Sequence, residues 1–242
     1  FLMSLTLIFG CNDGNVEKEV PFEKLSSEVT GINFANSITP NIETQENLFD
    51  YDYFYNGSGV GIADINNDGL KDILFTANQQ DNRLFLNKGN LKFEDITKSS
   101  NINSKNKKWS SGVTFADLNN DGWLDVYISQ GGPNSPKSRK NLLLINNQDL
   151  TFTEKAEEYG LDDSGISTQS AFFDFDKDGD LDCVVMNENE FYGYDPISFF
   201  KKYEDKSVLM KNSSHLYEQK NGKFINITEK AGLLSPTFGL GL

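Results

Sequence analysis

Short apolar runs recur along the chain, each bracketed by Asn, Asp and Gly, and none shows the sustained 3.6-residue period of an amphipathic helix. Val60-Gly-Ile-Ala63 leads into a polar stretch and Ile73-Leu-Phe75 leads out of it. The arrangement returns as Val113-Thr-Phe-Ala116 before Val126-Tyr-Ile128, and again as Ala171-Phe-Phe173 before Cys183-Val-Val185. β-Branched and aromatic residues with turn residues at every join predict strands. A second pair follows in each unit. Arg83-Leu-Phe-Leu-Asn87 precedes Lys92-Phe-Glu-Asp-Ile96, Asn141-Leu-Leu-Leu-Ile145 precedes Thr151-Phe-Thr-Glu154, and His215-Leu-Tyr217 precedes Lys223-Phe-Ile-Asn-Ile-Thr228. Each unit therefore offers about four short strands. Helical stretches are expected at Thr153 to Tyr159 and Thr228 to Ala231, each running into a glycine that stops it.

The polar stretches between the first two strands align at offsets of 53 and 57 residues. Four-stranded units at a period of roughly 40 to 60 residues point to an all-β fold of β-propeller blades; a sandwich or solenoid would not need this spacing. The blades are read as about 46–105, 106–165 and 166–235. Phe238-Gly-Leu-Gly-Leu242 matches the glycine-containing strand that opens the first unit, so a further blade is read from 236. Three blades and the start of a fourth make an incomplete ring, since propellers close with at least about four.

Each polar stretch has the form Asp-x-Asn/Asp-x-Asp-Gly-x-x-Asp. Hard cations such as calcium take about six to eight oxygens at about 2.3 to 2.6 Å, and a tight loop supplies them from alternate positions. In the first loop Asp64, Asn66 and Asp68 would give side-chain oxygens, Leu70 its carbonyl, and Asp72 would close the shell. The second maps as Asp117, Asn119, Asp121, the Trp123 carbonyl and Asp125; the third as Asp174, Asp176, Asp178, the Asp180 carbonyl and Asp182. The Asp180 side chain is expected in solvent. A glycine at the sixth position permits the sharp turn. An EF-hand loop needs an acidic ligand at its twelfth position and flanking helices; here that position holds Phe75, Ile128 and Val185, all in the outgoing strand. One His and two separated cysteines offer no zinc cluster, and magnesium prefers fewer protein ligands. The expected cofactor is Ca2+ at three sites.

Charge adds to this picture. With 22 Lys and Arg against 36 Asp and Glu, the formal charge is −14, which repels phosphate backbones and argues against nucleic acid as a partner. Three divalent ions would reduce it to about −8. The short basic runs at Lys105 to Lys108 and Lys137 to Lys140 are expected as solvated loops.

These units, with Asn82-Arg-Leu-Phe-Leu-Asn-Lys-Gly89 and Leu150-Thr-Phe-Thr-Glu-Lys-Ala-Glu-Glu-Tyr-Gly-Leu161, resemble VCBS/FG-GAP repeat proteins. More narrowly they resemble bacterial lipoproteins related to cartilage acidic protein, which often carry an ASPIC/UnbV domain after the propeller, and through the loops they are similar to the integrin α propeller. The resemblance covers roughly residues 50–242. It implies an extracytoplasmic calcium-binding propeller used in adhesion or ligand recognition. No ASPIC/UnbV segment is visible in this sequence.

The N-terminus is of a different kind. Phe1-Leu-Met-Ser-Leu-Thr-Leu-Ile-Phe-Gly-Cys11 is an apolar run closed by a small residue and a cysteine, followed by polar, acidic residues. It resembles the end of a lipoprotein signal peptide in residues 1–11, with Cys11 as the lipid-bearing residue and 12–45 as a tether to the propeller. The chain does not start with Met and has no basic residue before the run, as expected if the true start is missing; the alternative is a buried N-terminal strand. The membrane enters only through this anchor, which places the protein on a bacterial outer membrane or cell surface. Cys183 lies in an apolar run and reads as core.

Catalysis has little support: no nucleophile elbow, phosphate-binding loop or zinc-protease motif is present, and the single His215 reads as a surface residue beside a strand. The expected function is recognition of a protein or glycan ligand. The alternative is a carbohydrate-active enzyme, or a subunit of one, whose catalytic residues lie beyond this sequence. The cluster Phe49-Asp-Tyr-Asp-Tyr-Phe-Tyr55 could stack on sugars or pack the first blade, and burial is the reading adopted because propeller cores need large side chains. The insertion at about 187–212, with Phe199 and Phe200, is the expected ligand-facing element, since loops on a repeat scaffold carry binding surfaces.

Overall fold

The structure is a computed structural model that describes residues 22–103, 109–133, 139–191 and 195–239. It is all-β, built from three four-stranded antiparallel meanders. The first comprises β1 (Val60–Ala63), β2 (Asp72–Phe75), β3 (Arg83–Asn87) and β4 (Phe93–Asp95); the second β5 (Ser110–Ala116), β6 (Asp125–Gln130), β7 (Leu142–Asn146) and β8 (Phe152–Glu154); the third β9 (Ile166–Phe173), β10 (Asp182–Glu188), β11 (His215–Lys220) and β12 (Lys223–Asn226). Short helices fill the joins: α1 (Ser27–Thr30) ahead of the blades, α2 (Thr97–Ser100) and α3 (Ala156–Tyr159) after the fourth strands, and α4 (Pro196–Lys202) with α5 (Lys206–Lys211) between β10 and β11. Gly160 closes α3 at φ 80°, where a side chain would be strained. Residues 228–231, expected to be helical, form only turns.

The sheets stack as propeller blades do, and the ring is not closed. Side-chain alternation explains the stacking. In β7, Leu142 and Leu144 face the first blade in a cluster with Leu74, Leu84 and Val126. Their neighbours Leu143 and Ile145 face the third blade with Tyr127, Cys183, Val185 and Tyr217. Both faces of the middle sheet are covered, so β6 and β7 are buried at every residue, and a run such as Leu142-Leu-Leu-Ile145 carries no polar alternation. Cys183 is core, as its apolar setting predicted. Near the axis the first strands converge on glycines. A Cβ at Gly61 would stand 2.5 Å from the Phe115 ring, and one at Gly112 would stand 2.5 Å from the Thr168 carbonyl oxygen.

Residues 22–45, the described part of the expected tether, lie against the first blade. Phe34 stacks on Phe75 at 5.1 Å, Asn36 bonds Asn78 and Thr39 N donates to Gln79. The expected anchor at Cys11 and the basic run at 105–108 lie outside the described residues. Among the described residues no helix is long and apolar enough to cross a membrane. At the other extreme, Gly239 N donates to the Asn187 carbonyl and Thr168 Oγ1 to the Gly239 carbonyl, so this segment runs beside the third blade.

Candidate functional site

The three acidic loops join the first strand of each blade to the second and share one internal design. The first-position carboxylates Asp64, Asp117 and Asp174 accept from the amides of the fifth and sixth positions, at 3.2 and 2.8 Å in the first loop, 3.1 and 2.9 Å in the second, and 3.2 and 3.2 Å in the third. The third-position residues Asn66, Asn119 and Asp176 accept from the same fifth-position amides. The fifth-position residues Asp68, Asp121 and Asp178 accept from the amides of Leu70, Trp123 and Asp180. These bonds wrap the backbone around the side chains of positions one, three and five. The backbone turns through left-handed residues at two places, the sixth-position glycines (φ 84° to 97°) and the fourth position, where Asn67, Asn120 and Lys177 stand at φ 57°, 57° and 64°. Asn tolerates that region well and Lys poorly.

The ninth position differs from the rest. Asp72, Asp125 and Asp182 are buried, and each takes two backbone amides. One comes from the loop's second residue, Ile65, Leu118 or Phe175, at 3.0 Å. The other comes from the end of the third strand, Asn87, Asn146 or Gln219, at 2.8 to 2.9 Å. These carboxylates pin the loop to the blade, a structural duty beyond the ligand role read from spacing. Burial raises the Asp72 carboxyl above its ordinary range and lifts that of Asp125 to about 6, with the nearby loop carboxylates adding to the effect. The exposed Asp68 is held low by the Leu70 amide and Asn66.

Loops one and two touch: Asn67 Nδ2 donates to the Gly122 carbonyl at 3.0 Å. In both, the third-position Asn also donates to the fifth-position Asp. The third loop has Asp176 instead, so that bond is lost and two carboxylates oppose each other; desolvation and the Asp178 charge push Asp176 upward. Oxygens of Asp174, Asp176 and Asp182 lie within 4.8 Å of one another. Ligand oxygens at about 2.3 to 2.6 Å from one ion stand no more than about 5 Å apart, so this donor set fits a single hard cation. Asp180 departs from expectation. Its side chain is half-buried, with Oδ1 shielded and without a hydrogen-bond partner among the described residues, because β11 with Gln219 packs beside it.

Several other sites are also placed differently from their sequence readings. His215 is buried, 8% exposed, because the α4–α5 insertion and the turn before β9 cover the start of β11. Its Nδ1 meets Asp163 Oδ2 and its Nε2 the Met210 carbonyl at 2.8 Å. Both ring nitrogens therefore face acceptors, which calls for the doubly protonated imidazolium. Burial opposes that charge, but the Asp163 carboxylate outweighs it and raises the His215 pKa. Asp163 is in turn held below its ordinary range by His215, Gly165 N and Tyr217 OH, against the upward push of burial. Asp163 carried no sequence signal, since it is one of two adjacent aspartates in a turn. Arg139, expected in a solvated loop, is 5% exposed. In the aromatic cluster Tyr51 and Phe54 are buried against Trp109, whereas Phe49 is 95% exposed. Phe199 turns inward onto Phe238, with centroids 5.8 Å apart, and only Phe200 projects, 67% exposed.

A cavity of about 290 Å³ lies at the ends of the blades away from the acidic loops, where the first strands begin. Tyr51, Tyr53, Trp109 and Glu188 form its walls. All three connections between second and third strands reach this same end, and they lengthen from the first blade to the third.

Known proteins align with the loop-bearing part of this architecture. Residues 64–128, from the first acidic loop into β6, match the FG-GAP-like repeat. Over 156 residues the chain is 29% identical to Cartilage acidic protein 1 of Xenopus tropicalis, an alignment that covers 62% of this chain and 23% of that protein. The chain thus spans under a quarter of the curated relative it matches, and what the two findings together establish is an FG-GAP-like repeat in an all-β, propeller-like array.

Proposed function

We propose that this chain is a calcium-binding recognition module of the extracytoplasmic space, held to a bacterial surface through a lipid on Cys11 and presenting the far ends of its blades to a protein or glycan. FG-GAP-like repeats are typical of extracellular proteins with adhesion or recognition roles, which supports the setting. The observation that carries the cation reading is the repeated loop: three times the same hydrogen-bonded register turns the backbone around the side chains of the first, third and fifth residues, and in the third loop oxygens of Asp174, Asp176 and Asp182 lie within 4.8 Å of one another. Asp64, Asn66, Asp68, Asp72 and the Leu70 carbonyl would hold the first ion. Asp117, Asn119, Asp121, Asp125 and the Trp123 carbonyl would hold the second, and Asp174, Asp176, Asp178, Asp182 and the Asp180 carbonyl the third. Calcium supplies charge compensation and no catalysis. The protein's part is to hold the oxygens and, through the buried ninth-position carboxylates, to couple each loop to its third strand.

Calorimetric titration with calcium, joined to melting in calcium and in chelator, tests this reading. One ion per loop is expected, with about 2.7 kcal/mol of stabilisation per site when free calcium is a hundredfold above its dissociation constant. A folded protein that takes up no calcium and melts at the same temperature in chelator would overturn it.

A further inference from the structure

The α4–α5 insertion rests on the third blade without the usual cement. Neither helix contributes a buried residue, so the apolar burial that normally stabilises short helices is largely missing. Ring contacts of Phe199 with Tyr203 and Phe238 hold α4. α5 depends on polar bonds. Its Lys206 and Lys211 form partly exposed ion pairs with Glu229 and Glu190, a kind of contact that contributes little. Among the described residues one bond reaches α5 from inside the blade: Nε2 of the buried His215 meets the Met210 carbonyl at 2.8 Å. Just beyond α5 the chain is pinned again, where Asn187 Nδ2 donates to the Ser213 carbonyl at 3.0 Å.

The other ring nitrogen of His215, Nδ1, meets Asp163 Oδ2. Asp163 is fixed as a carboxylate by the Gly165 amide and the Tyr217 hydroxyl, each at 2.8 Å. An imidazolium that loses one of its two protons therefore keeps the proton shared with the carboxylate, a charge-assisted bond, and gives up the one on Nε2. The bare Nε2 lone pair then faces the lone pairs of the Met210 carbonyl, and an attraction becomes a repulsion at the point where the blade core holds α5. The other groups around the ring do not change charge with it. Burial raises the Tyr217 and Tyr127 phenols and the Cys183 thiol well above their ordinary values, so all three stay neutral. Asn187, at 3.5 Å from Nδ1, is uncharged. Asp162 is paired with Lys140, Lys211 with Glu190, and Glu188 accepts from Tyr51. Arg139, in the field of Asp163, keeps its charge.

We propose that His215 is a proton-operated latch: charged, it fastens α5 to the third blade, and neutral, it lets the α4–α5 hairpin lift about Ser213. The hairpin carries Ile197 and Phe200, 81% and 67% exposed, so the latch sets how firmly this apolar face of the insertion is presented. Burial alone would lower the His215 pKa, but the Asp163 carboxylate outweighs it. The latch is therefore closed below the ordinary imidazole value of 6.5 and opens as pH rises through the higher folded value. This is a local opening of one insertion, and it does not depend on the acidic loops.

The test is amide hydrogen exchange of the full chain on both sides of the imidazole titration, which is followed by NMR in the same samples. Exchange is read as protection factors, so that the intrinsic pH dependence of exchange cancels. Protection of the α5 amides, Leu209 among them, should fall by about ten- to a hundredfold as the imidazole becomes neutral, the loss expected for one hydrogen bond from a charged donor. The amides of β6 and β7 should keep theirs. His215→Gln has no charge to lose and should make α5 protection independent of pH over the same range. Asp163→Asn should move both midpoints, of the imidazole and of α5 protection, down by about one pH unit or more. Protection that is unchanged through the titration, that falls equally in β6 and β7, or that still follows pH in a folded His215→Gln protein would overturn the proposal, as would an imidazole that keeps its charge up to about pH 10. If neither variant folds, the natural chain decides: coincident midpoints support the latch and separate midpoints overturn it.

Discussion

The two ends of the blades are built by opposite rules. At the loop end, nine residues repeat almost unchanged in three blades, and the bonds common to all three run within the loop or to the adjoining third strand. At the cavity end, no two blades are alike: the first has a short turn, the second a longer loop, and the third the α4–α5 insertion over the His215–Asp163 pair. The two ends divide the labour of the fold. A short-range motif can be copied from blade to blade, whereas the other end is assembled from residues 52 or more positions apart and is free to specialise.

That contrast can be broken most forcefully at the buried pair. Asp163→Ala leaves His215, Gly165 N and Tyr217 without their shared acceptor, and urea unfolding should show a loss of about 3 to 5 kcal/mol. The pair also has a pH signature. The raised His215 pKa gives stability that is complete below the ordinary imidazole value of 6.5 and is lost as pH climbs through the folded value. The lowered Asp163 pKa gives stability that is complete above 3.8 and is lost as pH falls through its folded value. The contribution should therefore be greatest between those two pH values. As His215 is the single histidine of the chain, its imidazole resonances report the titration directly. An imidazole that titrates below 6.5 would contradict the geometry.

Changes at the loop end should be smaller and alike in every blade. Gly122→Ala places a side chain at φ 84° with open space around it, so the cost is conformational alone, about 1 to 2 kcal/mol, and thermal melts of the matching changes at Gly69 and Gly179 should agree with it. The smallest effect sharpens the comparison further. Lys177 is the one fourth-position residue that is not Asn, yet it has the same left-handed backbone. Lys177→Asn should stabilise the third loop by about 0.5 kcal/mol; a loss in the melt would mean that the loops are less interchangeable than their geometry indicates.

The legible and the hidden residues separate along this same line. Strands, loops and the core position of Cys183 were readable because alternation and turn residues act over a few positions. The left-handed fourth position is half legible, since Asn67 and Asn120 are the residues that conformation prefers, whereas Lys177 in the third loop adopts it without being one of them. The pinning role of Asp72, Asp125 and Asp182 was only half visible, because their second amide comes from a strand that starts well after the loop ends. His215, Arg139 and Asp163 were misread or missed because burial of a charged group depends on a partner distant in sequence. Phe199 and Phe200 looked equivalent until the packing of Phe238 separated them.

The blade plan and the internal hydrogen bonding of the loops follow from the amino-acid order alone, because both rest on local periodicity and on bonds between residues a few positions apart. Which face of the middle blade each leucine covers, which ionisable groups are buried, and the meeting of Glu188, Trp109 and Tyr51 at one cavity are set in three dimensions. Those outcomes depend on how separate blades approach one another at the axis, and that approach is set by packing over the whole molecule rather than by any single run of residues.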